Sequence, residues 1–114
     1  MKYVGGYVGS LDGVLNYPFF NLIRDILFNQ KDMFGIRNFY SDWGRNIDST
    51  QLNYLANFCD NHDNARTLSW SGVWEDKKKH HKTCNAMAMT ALGIPIVYYG
   101  TEQYFAGGND PANR

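Results

Sequence analysis

The chain has 114 residues, enough for one small domain. Its 11 Lys and Arg balance 11 Asp and Glu, and a net charge of zero removes the electrostatic footprint of a nucleic-acid binder. No stretch approaches the roughly 20 apolar residues of a membrane-spanning helix, and Met1-Lys2-Tyr3-Val4-Gly5-Gly6 lacks the apolar centre of a signal peptide.

Residues 1–11 are rich in Gly and Tyr and read as loop. Val14-Leu15-Asn16-Tyr17 is a strand candidate bounded by Asp12-Gly13 and Pro18. Pro18 suits the first turn of a helix, where its missing N–H is harmless. Phe19, Leu22, Ile23, Ile26 and Leu27 then recur at helical spacing. Met33, Ile36, Tyr40 and Trp43 form a second helical pattern, weakened by Gly35, and Gly44 to Thr50 reads as a polar turn. Leu55 to Cys59 is a strand candidate that ends in the polar run Asp60 to Arg66, and Trp70 to Glu75 reads as loop. Lys77 to Leu92 is the clearest helix, with Cys84, Met87, Ala88 and Ala91 on one face and Gly93 as its stop. Ile94 to Tyr99 is nearly continuously apolar, as expected of a strand buried on both faces, with Pro95 at its start. The last fifteen residues are a Gly-rich loop.

This alternation of strands and helices implies parallel strands joined by crossover helices, with ligands at the carboxyl ends of the strands. The strand starts near residues 14, 55 and 94 are spaced more widely than the roughly 30 residues per unit of a 250-residue (β/α)₈ barrel, a spacing that long loops accommodate. Three such units cannot close an eight-stranded barrel. They would leave two open edges and an exposed apolar face, so the chain is expected to be incomplete or to need a partner.

Other features have ordinary readings. Two cysteines, Cys59 and Cys84, do not make a disulfide framework and read as buried thiols. The cluster Lys77, Lys78, Lys79, His80, His81 and Lys82 reads as a solvated helix face. His80 and His81 are adjacent and cannot share a helix face, which argues against metal binding there. An aromatic content of 16% suits a core or a sugar-stacking cleft, and composition does not choose between them. Tyr98 and Tyr99 read as core, while Trp70 and Trp74, in the loop after Asp63, are weaker stacking candidates.

Three blocks carry a more specific signal. Leu11-Asp12-Gly13-Val14-Leu15-Asn16-Tyr17-Pro18 comes first and Asn57-Phe58-Cys59-Asp60-Asn61-His62-Asp63-Asn64-Ala65-Arg66 second. Gly93-Ile94-Pro95-Ile96-Val97-Tyr98-Tyr99-Gly100-Thr101-Glu102-Gln103 follows, running on to Gly107-Gly108-Asn109-Asp110-Pro111-Ala112-Asn113-Arg114. In this order the blocks resemble the sixth, seventh and eighth barrel strands of the α-amylase family of glycoside hydrolases, nearest to the fungal and other eukaryotic α-amylases. The resemblance implies that residues 1–114 are the C-terminal part of a (β/α)₈ catalytic domain, an α/β fold, whose partner is the remainder of the barrel.

What the resemblance implies about chemistry can be stated residue by residue. Retaining cleavage of a glycosidic bond uses two carboxyl groups about 5–5.5 Å apart, one as nucleophile and one as general acid, while further groups grip the distorted sugar ring. Asp63 matches the family's third carboxylate, which binds sugar hydroxyls in the transition state and raises the pKa of the neighbouring acid. His62 would donate to the same sugar. Asp110 and Arg114 match residues that bind the next glucose, the lesser alternative being an ordinary surface ion pair at i, i+4. Asn61, Arg66 and Glu102 would hold the scaffold. The Gly-x-Arg-x-Asp nucleophile segment and the Gly-Glu acid segment of the family are not in this sequence. The structural calcium expected of the whole family domain is bound by groups outside it, so no metal ligand is assigned.

The implied activity is endo-acting, retaining hydrolysis of α-1,4-glucans such as starch, glycogen and maltooligosaccharides, with the isolated chain inactive. Two alternatives stay open: a transglycosylase or isomerase of the same family, and a non-catalytic sugar-binding relic of a truncated gene. An extracellular or lysosome-like compartment is suggested by the resemblance alone, and no nucleic-acid or membrane partner is expected.

Overall fold

Three short parallel strands form the centre of the computed structural model, which describes Tyr7 and residues 10–70 and 74–114. Strands β1 (Val14–Leu15), β2 (Leu55–Asn57) and β3 (Ile94–Pro95) lie side by side in the order β1-β2-β3. Val14 pairs with Leu55 and Leu15 with Ala56, while Ala56 pairs with Ile94 and Asn57 with Pro95. Helices α1 (Tyr17–Leu27), α2 (Phe34–Asn46) and α3 (Ser49–Leu52) connect β1 to β2. Helix α4 (Trp74–Thr90) connects β2 to β3. The parallel crossover arrangement expected from the sequence is therefore the one adopted. Most of the predicted loop at residues 1–11, and residues 71–73 of the second predicted loop, lie outside the described residues.

Each strand is shorter than its apolar run, for local reasons. β1 stops before Asn16 because that side chain caps α1: Oδ1 accepts the Phe19 N–H at 3.1 Å, with Pro18 in the first turn. β2 ends at Asn57, yet Phe58 and Cys59 remain buried. The run Ile94–Tyr99 departs furthest from expectation. Only Ile94–Pro95 is strand, and Ile94, Val97 and Tyr99 are 47%, 48% and 55% exposed, not buried on both faces. β3 is the outer strand of the sheet, and among the described residues no strand pairs with its far edge.

Two further readings are corrected. Gly44 to Thr50 is mainly helical: α2 runs through Gly44 to Asn46, and α3 begins at Ser49. Trp43 and Ile47 anchor this segment in the core, which outweighs the weak helix propensity of a single glycine. Asp48 then restarts the helix, its Oδ1 accepting the Thr50 N–H at 2.8 Å and the Thr50 hydroxyl at 2.6 Å. α4 begins at Trp74, three residues before the predicted start.

The core has two parts. Phe19 and Ile23 of α1 meet Cys59, after β2, and Cys84 and Ala88 of α4. Trp43 and Ile47 pack on Leu55 beneath the other side of α2. Cys59 and Cys84 form a disulfide, so the expectation of two buried thiols is wrong. Both sit at 1–3% exposure on facing elements, and that proximity, absent from any linear spacing rule, is what permits the bond. Above this core Phe58 stacks on Phe20 at 5.1 Å and meets Tyr17 edge-on at 5.1 Å.

Polar groups are as deliberately placed as apolar ones. Asn16 Nδ2 donates to Asn57 Oδ1 at 2.8 Å, and Asn57 Nδ2 donates to the Leu92 carbonyl at 3.0 Å. This buried ladder ties all three strand regions together. Gly93 (φ +130°) lets the chain pass against it, since a Cβ there would strike the Leu55 carbonyl.

Candidate active site

The two polar loops that follow β2 and β3 meet at the carboxyl end of the sheet. The first, residues 60–66, is built around Asn61. Its Oδ1 accepts the Asp63 N–H at 3.1 Å and Asn64 Nδ2 at 2.7 Å, while its Nδ2 donates to the Tyr17 hydroxyl at 3.2 Å. This turn within the loop puts His62 and Asp63 at the apex, both side chains more than 60% exposed, with His62 Nε2 3.3 Å from Asp63 Oδ1.

The second loop lies against the first. Asn113, buried, donates from Nδ2 to the His62 carbonyl at 2.7 Å and to the Asn64 carbonyl at 3.1 Å. The Arg66 N–H donates to the Gly107 carbonyl at 2.9 Å, and the Gly107 N–H to Ser69 Oγ at 2.6 Å. Turns at Asn109–Ala112 and Pro111–Arg114 then present Asp110 and Arg114, paired at 2.5 Å between Arg114 Nε and Asp110 Oδ1 and both 59% exposed. The four predicted sugar-contacting residues thus stand exposed on adjoining loops, and the i, i+4 ion pair that the sequence left open does form.

Arg66 is the bolt between the loops. It is 1% exposed, and it donates from Nε to the Asn113 carbonyl and from Nη1 to the Tyr99 carbonyl, each at 2.8 Å. Its guanidinium lies 3.9 Å from the Tyr98 ring centre and 5.0 Å from that of Tyr99. Nη2 has no hydrogen-bond partner among the described residues, and the ring faces serve in its place. Tyr98 and Tyr99 are therefore not core, as the sequence suggested, but a cradle for this cation, with Tyr98 half-buried and Tyr99 exposed. Desolvation is the main reason the Tyr98 phenol is held above the ordinary tyrosine range, with Tyr99 adding to the shift and Arg66 opposing it.

A buried polar ring closes the first loop from below. Asp60, 2% exposed, accepts the Thr67 N–H at 3.3 Å on Oδ2 and the Thr101 hydroxyl at 3.1 Å on Oδ1. His81 of α4 lies 4% exposed behind both threonines, its Nε2 2.9 Å from the Thr101 carbonyl and its Nδ1 hydrogen-bonded to Thr67 Oγ1. A carbonyl only accepts, so Nε2 carries the hydrogen there, and in a neutral ring Nδ1 is then the acceptor for the Thr67 hydroxyl. The basic cluster is accordingly not a uniformly solvated face: His81 is core, and His80 is half-buried against the edge of Phe28.

Sequence reasoning missed Asp60, Thr67, His81, Thr101 and Asn113. His81 had a usable signal, since 81, 84 and 88 fall on one helix face with the buried Cys84 and Ala88. Asn61 and Arg66 sit where a scaffold role requires. Glu102 is exposed in the turn Thr101–Gln103, its carboxylate accepting at 3.5 Å from Gln103 Nε2. Trp70 packs edge-on against Phe20 and Phe28 and donates to the Ala65 carbonyl at 3.1 Å, which makes it support for the loop. The Trp74 side chain lies outside the described residues. Among the described residues no three His, Cys, Asp or Glu side chains gather in a way that would hold a metal.

A parallel α/β unit with paired polar loops at the carboxyl ends of its strands defines a class of ligand-binding and catalytic folds. Comparison with known proteins narrows the class. The catalytic-domain model of the α-amylase family matches residues 3–113, and the chain belongs to that family. It is 40% identical, over 98% of its length, to a beta/alpha-amylase of Paenibacillus polymyxa, of which it spans 9%. It is 36% identical, over 89% of its length, to a cyclomaltodextrin glucanotransferase of Bacillus sp. (strain 38-2), of which it spans 14%. Among solved structures it superposes on an α-amylase from Malbranchea cinnamomea with a TM-score of 0.81 and 29% identity, covering 98% of this chain and 23% of that one. The chain therefore corresponds to a minor part of each of these proteins.

Proposed function

We propose that residues 1–114 form the part of an α-amylase-type (β/α)₈ catalytic domain that spans its sixth to eighth strands. In that domain they supply one catalytic carboxylate and a set of sugar contacts for retaining, endo-acting hydrolysis of α-1,4-glucans. The family match over residues 3–113, together with the exposed His62 and Asp63 at the carboxyl end of β2, carries this reading.

In this reading Asp63 accepts hydrogen bonds from the hydroxyls of the sugar at the scissile bond. A carboxylate held on a rigid loop strengthens those bonds as the ring flattens and gains positive charge, which favours the transition state over the ground state. The same charge favours the protonated form of the general acid, which another segment of the barrel provides. His62 donates to the same ring. Asp110 accepts from and Arg114 donates to the next glucose, their ion pair opening or shifting to admit vicinal hydroxyls. The nucleophile and acid are not among these 114 residues, so the chain alone is inactive. Any structural calcium of the domain takes its ligands from elsewhere.

The test is Asp63→Asn in the natural polypeptide that carries this sequence, assayed on linear maltooligosaccharides. The substitution keeps the shape and removes the charge. We expect kcat to fall by about 10²- to 10³-fold, as for loss of one transition-state contact, with KM changed much less. A variant retaining more than about a tenth of wild-type kcat would sink this assignment.

The likeness to cyclomaltodextrin glucanotransferase favours a second reading, transfer of the glucan to a sugar acceptor. Product analysis separates the two: hydrolysis yields only shorter linear sugars, while transfer yields longer or cyclic ones.

A further inference from the structure

The loop that presents His62 and Asp63 is closed into a ring by a residue to which the functional reading gives no task. Asp60 starts the loop, and its carboxylate receives the N–H of Thr67, the first residue after the loop ends. The other carboxylate oxygen receives the hydroxyl of Thr101, at the start of the turn after β3. His81, from α4, bridges the Thr67 hydroxyl and the Thr101 carbonyl. All four residues are at most 4% exposed. With a neutral His81 ring carrying its hydrogen on Nε2, each donor of the cycle meets one acceptor within it.

Such a ring is costly unless complete. Among the described residues Asp60 makes no ion pair, so its buried oxygens depend on these two donors alone. The loop above it is otherwise held by Asn113 and Arg66, which belong to or bind the second loop, by Tyr17 through Asn61, and by Trp70 through the Ala65 carbonyl, none of which reaches the Asp60 end. From this we infer that Asp60, Thr67, His81 and Thr101 form a positioning ring. It fixes the height and angle of the His62–Asp63 apex relative to the loop after β3, and through it the efficiency of the reaction rather than the affinity for glucan. For its kinetic consequence the inference rests on the function proposed above, and for its structural consequence it does not.

Two measurements on the natural polypeptide test it. Thr101→Val removes the hydroxyl and keeps the size, Thr101→Ser keeps the hydroxyl, and Ile47→Val perturbs the other core cluster, away from the ring. Hydrogen exchange read by mass spectrometry should show residues 61–66 exchanging faster in Thr101→Val, at the wild-type rate in Thr101→Ser, and unchanged in Ile47→Val. Steady-state kinetics on maltooligosaccharides should show kcat lowered ~10- to 100-fold in Thr101→Val with KM within about twofold, and recovery in Thr101→Ser. If Thr101→Val does not fold, Asp60→Asn takes its place, because an amide NH₂ would face one of the two donors. Unchanged exchange at 61–66 overturns the ring. So does an equal loss of kcat in Ile47→Val, since that would make the effect one of general stability. A wild-type protein that cleaves no glucan, but whose loop responds as described, refutes the proposed function and leaves the ring standing.

Discussion

The disulfide offers the sharpest check on this structure, because the sequence pointed the other way. Cys59 follows β2 at the root of the candidate site, and Cys84 lies in the middle of α4, with 25 residues separating them. Closing a loop of that length removes about 3.5 kcal/mol of chain entropy from the unfolded ensemble at 25 °C in the loop-closure model. Both side chains lie in the core beside Phe19, Ile23 and Ala88. Reduction without unfolding should therefore be slow, and the bond should become accessible to dithiothreitol only as the chain opens. Three outcomes are expected. Iodoacetamide should label neither cysteine in urea until reductant is added. Urea unfolding followed by circular dichroism should show about 2–5 kcal/mol less stability in Cys59→Ala/Cys84→Ala than in the oxidised protein. The rate of reduction should rise with urea in step with unfolding. Labelling of both cysteines in urea without reductant, or a stability loss below about 1 kcal/mol in the double variant, would refute the reasoning. A structural disulfide belongs with an oxidising compartment, so the protein is expected to mature in one.

Two further predictions concern charged groups with opposite surroundings. Arg66→Lys replaces a planar fork that reaches two carbonyls with a single ammonium and should cost about 2–4 kcal/mol by urea unfolding; a loss below about 1 kcal/mol would contradict the role given to Arg66. Asp25 is the more accessible counterpart, its side chain 30% exposed: hydrogen bonds from Lys31 and Asn29 hold its carboxyl below the ordinary aspartate value. The stability from this depressed value is present above the unfolded pKa of about 3.9 and disappears as pH falls through the folded value, and solvent screening keeps it small. In Lys31→Met the Asp25 pKa should rise in an NMR titration of the carboxyl carbons, and an unchanged value would show that the 2.8 Å pair does not persist in solution.

What the sequence revealed and what it hid divide along a physical line. Periodicity placed α1 and α4 nearly to their ends because each buries one face in a shared core, as Phe19 and Ile23 face Cys84 and Ala88. Parallel pairing followed from the alternation of elements, and the family was legible because its motif blocks are short and come in a fixed order. The length of β3 was not legible. An apolar run reports only that a segment seeks burial, and Ile94 to Tyr99 finds little here. The polar contacts were hidden for a different reason. Asp60 with Thr101 and Arg66 with Asn113 join residues 41 and 47 positions apart, and no local pattern distinguishes a buried threonine from an exposed one.

That division bears on how the site is held. The apolar surface around β3 and its neighbours is left uncovered, with Met89, Leu92, Ile94 and Val97 all at least 47% exposed. At the mouth the opposite holds: Asp60, Thr67, His81, Thr101, Asn113 and Arg66 are buried among the described residues and hydrogen-bonded, with Arg66 Nη2 and Asn113 Oδ1 the exceptions. Hydrophobic burial scales with area and is incomplete here, whereas a hydrogen-bonded ring depends on geometry that these residues already supply. Covering the β3 surface should therefore add stability without altering the relation of His62 and Asp63 to Asp110 and Arg114. The carboxylate, the imidazole and the ion pair are arranged by the loops themselves.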